Sequence, residues 1–117
     1  DVVSLHCPGG DANRHLINAD IMAHSKPGLI LINTARGEVV DEIALAEALH
    51  DGTIGGAGLD VFDGEPNIMP DTLNAPNIVM LPHLGSATDE TRVEMGMRAM
   101  ENLNAIMSGK APRDPVT

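Results

Sequence analysis

LILINTARGEVVDEIALAEALHDGTIGGAGLDVF, Leu29–Phe62, is the stretch from which the fold is read. It opens with Leu29–Asn33, a continuous apolar run of strand length. Asp41 then stands where a helix N-cap belongs. Ile43, Leu45, Ala46 and Leu49 recur at helical spacing, and Gly52 sits where a C-terminal glycine belongs. Ala57–Phe62 is a second apolar run. Strand, helix and strand follow one another, and the strands are apolar throughout rather than alternating. That pattern predicts a parallel sheet covered on both faces. Arg36, at the tip of the first strand, does not belong to a strand interior. It is either a solvated loop residue or the receiver of something anionic.

The flanking sequence extends the same pattern. Val2–His6 reads as a short buried strand ended by Pro8-Gly9-Gly10. NADIMAHSKPG, from Asn18, reads as a short helix capped by Asn18 and stopped by Pro27-Gly28. Asn77–Leu81 is a further strand, stopped by Pro82. SATDETRVEMGMRAMENLNAIMSGK, from Ser86, predicts one long helix, capped at Thr88 and closed by Gly109 and Pro112. Its stripe of Val93, Met97, Met100, Leu103 and Met107 reads as core, or as a surface for a part of the protein outside this chain. The connection from Phe62 to Asn77 carries Gly64, Pro66, Pro70 and Pro76, which oppose a regular helix there. Long irregular connections in such folds are often functional.

Composition narrows the function. The chain has 117 residues, 43% of them hydrophobic, with one Phe and no Trp or Tyr, so the core is aliphatic. Few aromatics argue against a base-stacking binder. A net charge of −10 with no basic run argues against binding a phosphate backbone. Neither nucleic acid nor membrane is an expected partner, since no apolar run reaches transmembrane length. One cysteine, Cys7, makes no internal disulfide, which fits a reducing, cytoplasmic setting. The chain begins DVVSLHCPGG, with strand-like sequence from the second residue and no methionine, so a fragment of a longer protein is expected.

Ligands of open parallel sheets bind beyond the carboxyl ends of the strands. The polar residues there are His6-Cys7-Pro8, then Asn33-Thr34-Ala35-Arg36, then Asp60 running into Glu65, then His83. Arginine offers a planar fork for a carboxylate, and histidine exchanges a proton near neutral pH. A carboxylate beside an imidazole fixes its tautomer, and a second can accept from a carboxamide. That set suits reduction of a 2-oxo acid, with the hydride drawn from a cofactor. Singly, each has a plainer reading. Arg36 alone is a surface residue, His83 alone only bonds backbone, and Glu65 before Pro66 is turn chemistry. Asp60 is harder to dismiss, because a buried carboxylate needs a partner. Cys7 reads as a packed residue rather than a nucleophile. His15, His24 and His50 read as surface residues, and no histidine has metal-ligand spacing, so no metal is expected.

INTARGEVVDEIALAEAL, GAGLDVFDGEP and PNIVMLPHLGSAT resemble the D-isomer-specific 2-hydroxyacid dehydrogenases, in order and in spacing. Within them the chain is most similar to glycerate dehydrogenases, hydroxypyruvate reductases and glyoxylate reductases. The resemblance covers essentially the whole chain. It implies that Arg36 binds the substrate carboxylate, that His83 is the general acid/base, and that Glu65 pairs with His83 and keeps it protonated for reduction. It implies that Asp60 holds the nicotinamide carboxamide, with Thr34, Ala35 and Gly85 along the nicotinamide half and His6, Cys7 and Pro8 along the adenosine half. Arg36 and His83 would also border the cofactor.

The fold so implied is α/β: the second half of a Rossmann-type doubly wound parallel sheet followed by a long C-terminal helix. Residues 1–86 would be the C-terminal half of an NAD(P)-binding domain, and 87–117 a helix and tail returning toward a substrate domain. The implied cofactor is NAD or NADP, the partner a small 2-oxo or 2-hydroxy acid, and the longer protein a homodimer. Two departures stand out. Gly9-Gly10 replace a bulkier residue and a hydroxyl residue, so a looser loop and one weakened cofactor contact are expected. The G-x-G-x-x-G fingerprint is absent. GTIGGAGLD does not have its spacing and precedes a strand instead of joining strand to helix. The isolated chain is therefore expected neither to bind dinucleotide tightly nor to turn over. Two other classes compete: a dehydrogenase-like NAD-sensing corepressor, and a stand-alone half-domain scaffold.

Overall fold

The computed structural model describes residues 1–116, in two compact units, Asp1–Gly85 and Ser86 onward. In the first unit β1 (Val2–Leu5), β2 (Ile30–Asn33), β3 (Gly56–Leu59) and β4 (Ile78–Met80) form one parallel sheet in chain order. The register aligns Leu5, Asn33, Leu59 and Met80 across the sheet. All four strands therefore end on one line, and His6, Thr34, Asp60 and Leu81 leave from the same edge.

Three helices connect the strands: α1 (Ala19–Ala23), α2 (Glu42–His50) and α3 (Pro70–Leu73). Asn18 caps α1 by accepting the Ile21 N–H at 3.1 Å, and Asp41 caps α2 by accepting the Ala44 N–H at 3.1 Å. Each cap satisfies a first-turn donor that no helical carbonyl reaches. Strands laid down in chain order by crossovers of one hand put their connections on one face of the sheet. That face holds the core, with Leu31, Ala57 and Leu59 buried in one cluster with Met22, Leu45 and Leu49. On the opposite face Ile30 and Val79 are exposed and Ile32 is half-buried. Of the two faces expected to be covered, helices cover one within this unit. The irregular Phe62–Asn77 connection contains one helical turn, α3, which begins at Pro70. Proline is compatible with that first position, where its missing N–H would have had no partner.

The second unit is α4 (Asp89–Met107) and a tail. The Thr88 hydroxyl caps it by accepting the Thr91 N–H at 3.2 Å. The tail folds back on the helix, where the Asn102 side chain accepts the Arg113 and Asp114 N–H groups at 2.8 and 3.2 Å. Val93, Met97, Met100, Leu103 and Met107 are all exposed, so the stripe is a surface in this chain rather than a core. Among the described residues no helix is long and apolar enough to cross a membrane.

Candidate active site

His83 follows β4 and Pro82. Its backbone lies in the left-handed region, at φ 57, which histidine enters more readily than most side chains. The imidazole Nδ1 lies 2.8 Å from Glu65 Oε2, and Glu65 Oε1 accepts the Phe62 N–H at 2.7 Å. A carboxylate only accepts, so Nδ1 carries the hydrogen of that bond. Nε2 has no protein partner among the described residues. Asp60, at the end of β3, is buried. Its Oδ1 accepts the Leu84 N–H at 2.6 Å and its Oδ2 the Gly85 N–H at 2.9 Å. The partners that burial demanded are thus the two peptide donors after His83. Glu65 orients the ring, and Asp60 anchors the backbone that carries it. Gly85 gives its own N–H to Asp60.

The His83 hydrogen bond, and after it the Phe62 N–H, hold the Glu65 carboxyl below the ordinary glutamate range. A depressed carboxyl contributes its full stabilisation above the ordinary value of about 4.3 and loses it as pH falls through the lowered value. The Glu65 side-chain carboxyl carbon is therefore expected to titrate below that of an exposed glutamate. In a His83→Gln chain its titration moves up. An unchanged NMR titration in that variant would show the pair to be absent in solution.

Arg36 is set by the end of β2. Asn33, 1% exposed, accepts the Ala35 N–H at 3.0 Å and donates to the Arg36 carbonyl at 3.0 Å. This bracket shapes the turn from which the exposed Arg36 side chain leaves. One Nη1–H goes to the Ala35 carbonyl at 2.7 Å; the rest of the five-donor fork has no protein partner among the described residues. Gly37 then packs against the chain leaving β3. A Cβ built there would lie 1.9 Å from the Phe62 carbonyl carbon and 2.2 Å from the Asp63 nitrogen. That close approach seats the arginine turn on the segment that leads to Glu65. Sequence reasoning placed Asn33 at the strand end without giving it a role, and did not single out Gly37. The only signals were a polar residue closing an apolar strand and a glycine following the arginine.

His6, Cys7, Pro8, Gly9, Thr34, Ala35 and Arg36 line a cavity of about 520 Å³ beyond the ends of β1 and β2. His83, Glu65 and Asp60 do not line it. The expected site residues therefore form two groups, joined through the Gly37 contact. The Gly9-Gly10 loop is bound on several sides. Gly10 donates to Glu38 Oε1 at 3.1 Å, the Pro8 carbonyl accepts from Asn13 at 2.8 Å, and the Gly10 carbonyl accepts the Asn13 N–H at 3.0 Å. A Cβ at Gly9 would fall 2.2 Å from Glu38 Oε1. The missing side chain thus admits the carboxylate that ties the loop, where looseness was expected. Donation from its own backbone N–H, then from Gly10, holds the Glu38 carboxyl below the ordinary range. The cavity at the sheet's carboxyl edge fits part of an extended dinucleotide, and each Asp60 oxygen keeps a lone pair for a carboxamide. Among the described residues no cluster of three or more His, Cys, Asp or Glu could hold a metal ion.

Comparison with known proteins gives concordant results. The family described as D-isomer specific 2-hydroxyacid dehydrogenase, NAD binding domain, matches residues 1–85. A glyoxylate/hydroxypyruvate reductase B of Pectobacterium carotovorum subsp. carotovorum (strain PC1) is 49% identical over 117 residues, covering 99% of this chain and 37% of that protein. A glyoxylate reductase of Aeropyrum pernix is 47% identical over 113 residues, covering 96% of this chain and 34% of its own length. Among solved structures, the NADPH-dependent glyoxylate/hydroxypyruvate reductase of Sinorhizobium meliloti, in complex with NADP and malonate, superposes with a TM-score of 0.95. The two are 42% identical, over 100% of this chain and 37% of that one. The chain thus spans little more than a third of the relatives it matches.

Proposed function

The chain belongs to the D-isomer specific 2-hydroxyacid dehydrogenase family through its NAD binding domain, and we propose that its protein reduces a small 2-oxo acid to the D-2-hydroxy acid with NADH or NADPH. Hydroxypyruvate and glyoxylate are the favoured substrates. The observation that carries this reading is the Glu65–His83 pair, 2.8 Å apart, on a loop anchored by Asp60 and beside the turn that presents Arg36.

Each side chain has one task. The Arg36 fork takes the two carboxylate oxygens of the substrate and leaves the 2-oxo group facing the imidazole. Glu65 holds Nδ1, so the proton at Nε2 is the one that moves. It passes to the 2-oxo oxygen as that oxygen becomes a hydroxyl. A bound nicotinamide dinucleotide supplies the hydride for C2. His6, Cys7 and Pro8 would border its adenosine half, and Thr34, Ala35 and Gly85 its nicotinamide half, with Asp60 accepting from the carboxamide. Residues 1–86 would then be the second half of the cofactor domain, and 87–117 the return toward the substrate domain. A cytoplasmic homodimer completes the reading, with neither nucleic acid nor membrane as partner; the acidic chain argues against a phosphate backbone, and the single cysteine fits a reducing compartment.

The test is oxidation of NADH or NADPH by the full-length protein with hydroxypyruvate or glyoxylate. No turnover with either acid and either nucleotide would refute the reading. Arg36→Lys keeps the charge and removes the fork. Loss of one charge-assisted hydrogen bond, worth about 1.5–3 kcal/mol, raises KM for the 2-oxo acid by roughly 10- to 100-fold. Steady-state kinetics with KM unchanged would remove Arg36 from the substrate site.

A further inference from the structure

Glu42 opens α2, and its position suggests a surface carboxylate favouring the helix N-terminus. Instead it is 4% exposed. Its Oε1 accepts the Asp63 N–H at 2.6 Å, and its Oε2 accepts the Thr72 hydroxyl at 3.3 Å. Burial pushes its carboxyl up, against the pull of these two bonds. A buried carboxylate is retained only with such partners, and these come from two places in the irregular connection that carries Glu65. Asp63 directly follows Phe62, whose N–H orients Glu65. Two successive peptide donors thus go to two carboxylates, one held inside α2 and one presented to His83.

We infer that Glu42 is a positioning residue for the Glu65–His83 pair: from α2 it clamps the Phe62–Asp63 turn that aims the Glu65 carboxylate at the imidazole. The clamp works through backbone, touches neither substrate nor cofactor, and acts beside the Gly37 contact at the same turn. Its catalytic meaning rests on the proposed reductase reading; its structural content does not.

The test is the NMR titration of the Glu65 side-chain carboxyl carbon in the 117-residue chain, assigned with Glu65→Gln. Glu65 is faced by His83 and by the carboxylate of Asp60, and Glu42 by Asp63, Glu65 and Thr72. Glu42→Leu removes both acceptors. Because Glu42 is raised and Glu65 lowered, Glu42 has already taken its proton when Glu65 titrates, so its charge bears little on that midpoint. Loss of the clamp raises the Glu65 titration toward an ordinary glutamate, and an upward shift is expected. Glu42→Gln is neutral and keeps an acceptor for Asp63, so the Glu65 titration stays near that of the parent chain. Should Glu42→Leu fail to fold, Glu42→Asp, one methylene too short to hold both partners, is expected to shift Glu65 upward as well. A Glu65 titration unmoved or lowered in the folded Leu or Asp variant overturns the inference. In the full-length protein, Glu42→Asp is expected to lower kcat by up to about 100-fold, as misplacement of a catalytic group can, with KM little changed. A protein with no reductase activity would refute the enzymatic reading and leave the titration result standing.

Discussion

His83→Asn in the full-length protein is expected to lower kcat by about 10²- to 10⁴-fold, the usual contribution of a positioned general acid. Asparagine is the informative replacement because His83 sits at φ 57. Asn accepts the left-handed region at least as readily as histidine does, so the backbone stays in place while the titratable ring is lost. The Leu84 and Gly85 N–H groups remain bound to Asp60. The amide can still meet Glu65, but it delivers no proton near neutral pH. On the proposed reading, binding of the 2-oxo acid rests on Arg36 and is expected to change little. The expected signature is a fall in kcat with KM within a few-fold, measured by oxidation of the reduced nucleotide. An Asn variant with undiminished kcat would mean that another group supplies the proton.

Gly37→Ala is expected to destabilise the chain by about 3 kcal/mol or more, at or beyond the upper range for overpacking. The new methyl carbon would sit 1.9 Å from the Phe62 carbonyl carbon and 2.2 Å from both the Phe62 oxygen and the Asp63 nitrogen. These are backbone atoms, so no rotamer change relieves the clash. Relief requires moving the Arg36 turn away from Phe62–Asp63, which also loosens the support of Glu65. Urea denaturation of the 117-residue chain measures the stability loss. An alanine variant with an unchanged midpoint would show that the two segments are not in contact in solution. By contrast, alanine at Gly96, where a Cβ meets nothing within 4 Å, is expected to be neutral or mildly stabilising, since the site is helical.

The sequence by itself determined the layered α/β class and the edge at which the candidate site residues gather. Leu29–Asn33 and Ala57–Leu59 are apolar enough to be buried strands, and Asn18, Asp41 and Thr88 are helix caps in the structure as in the sequence. These are local consequences of residue type and spacing. Because parallel strands end on one line, the polar residues after each could be gathered by counting alone. Pairings across sequence were not legible in the same way. The Glu65–His83 pair was expected only through the family resemblance, and nothing local announced that Asp60 takes two peptide donors 24 and 25 residues away or that Glu42 lies buried against Asp63 and Thr72. A carboxylate's role depends on which donors the fold brings within about 3 Å of it, and no local pattern encodes that. Gly37 shows this best. In sequence it is a glycine in a turn; only the packing of two distant segments shows that any side chain there would collide with backbone. Helix and strand follow from energies summed along the chain, whereas the site's geometry follows from contacts that exist only once the chain has closed on itself.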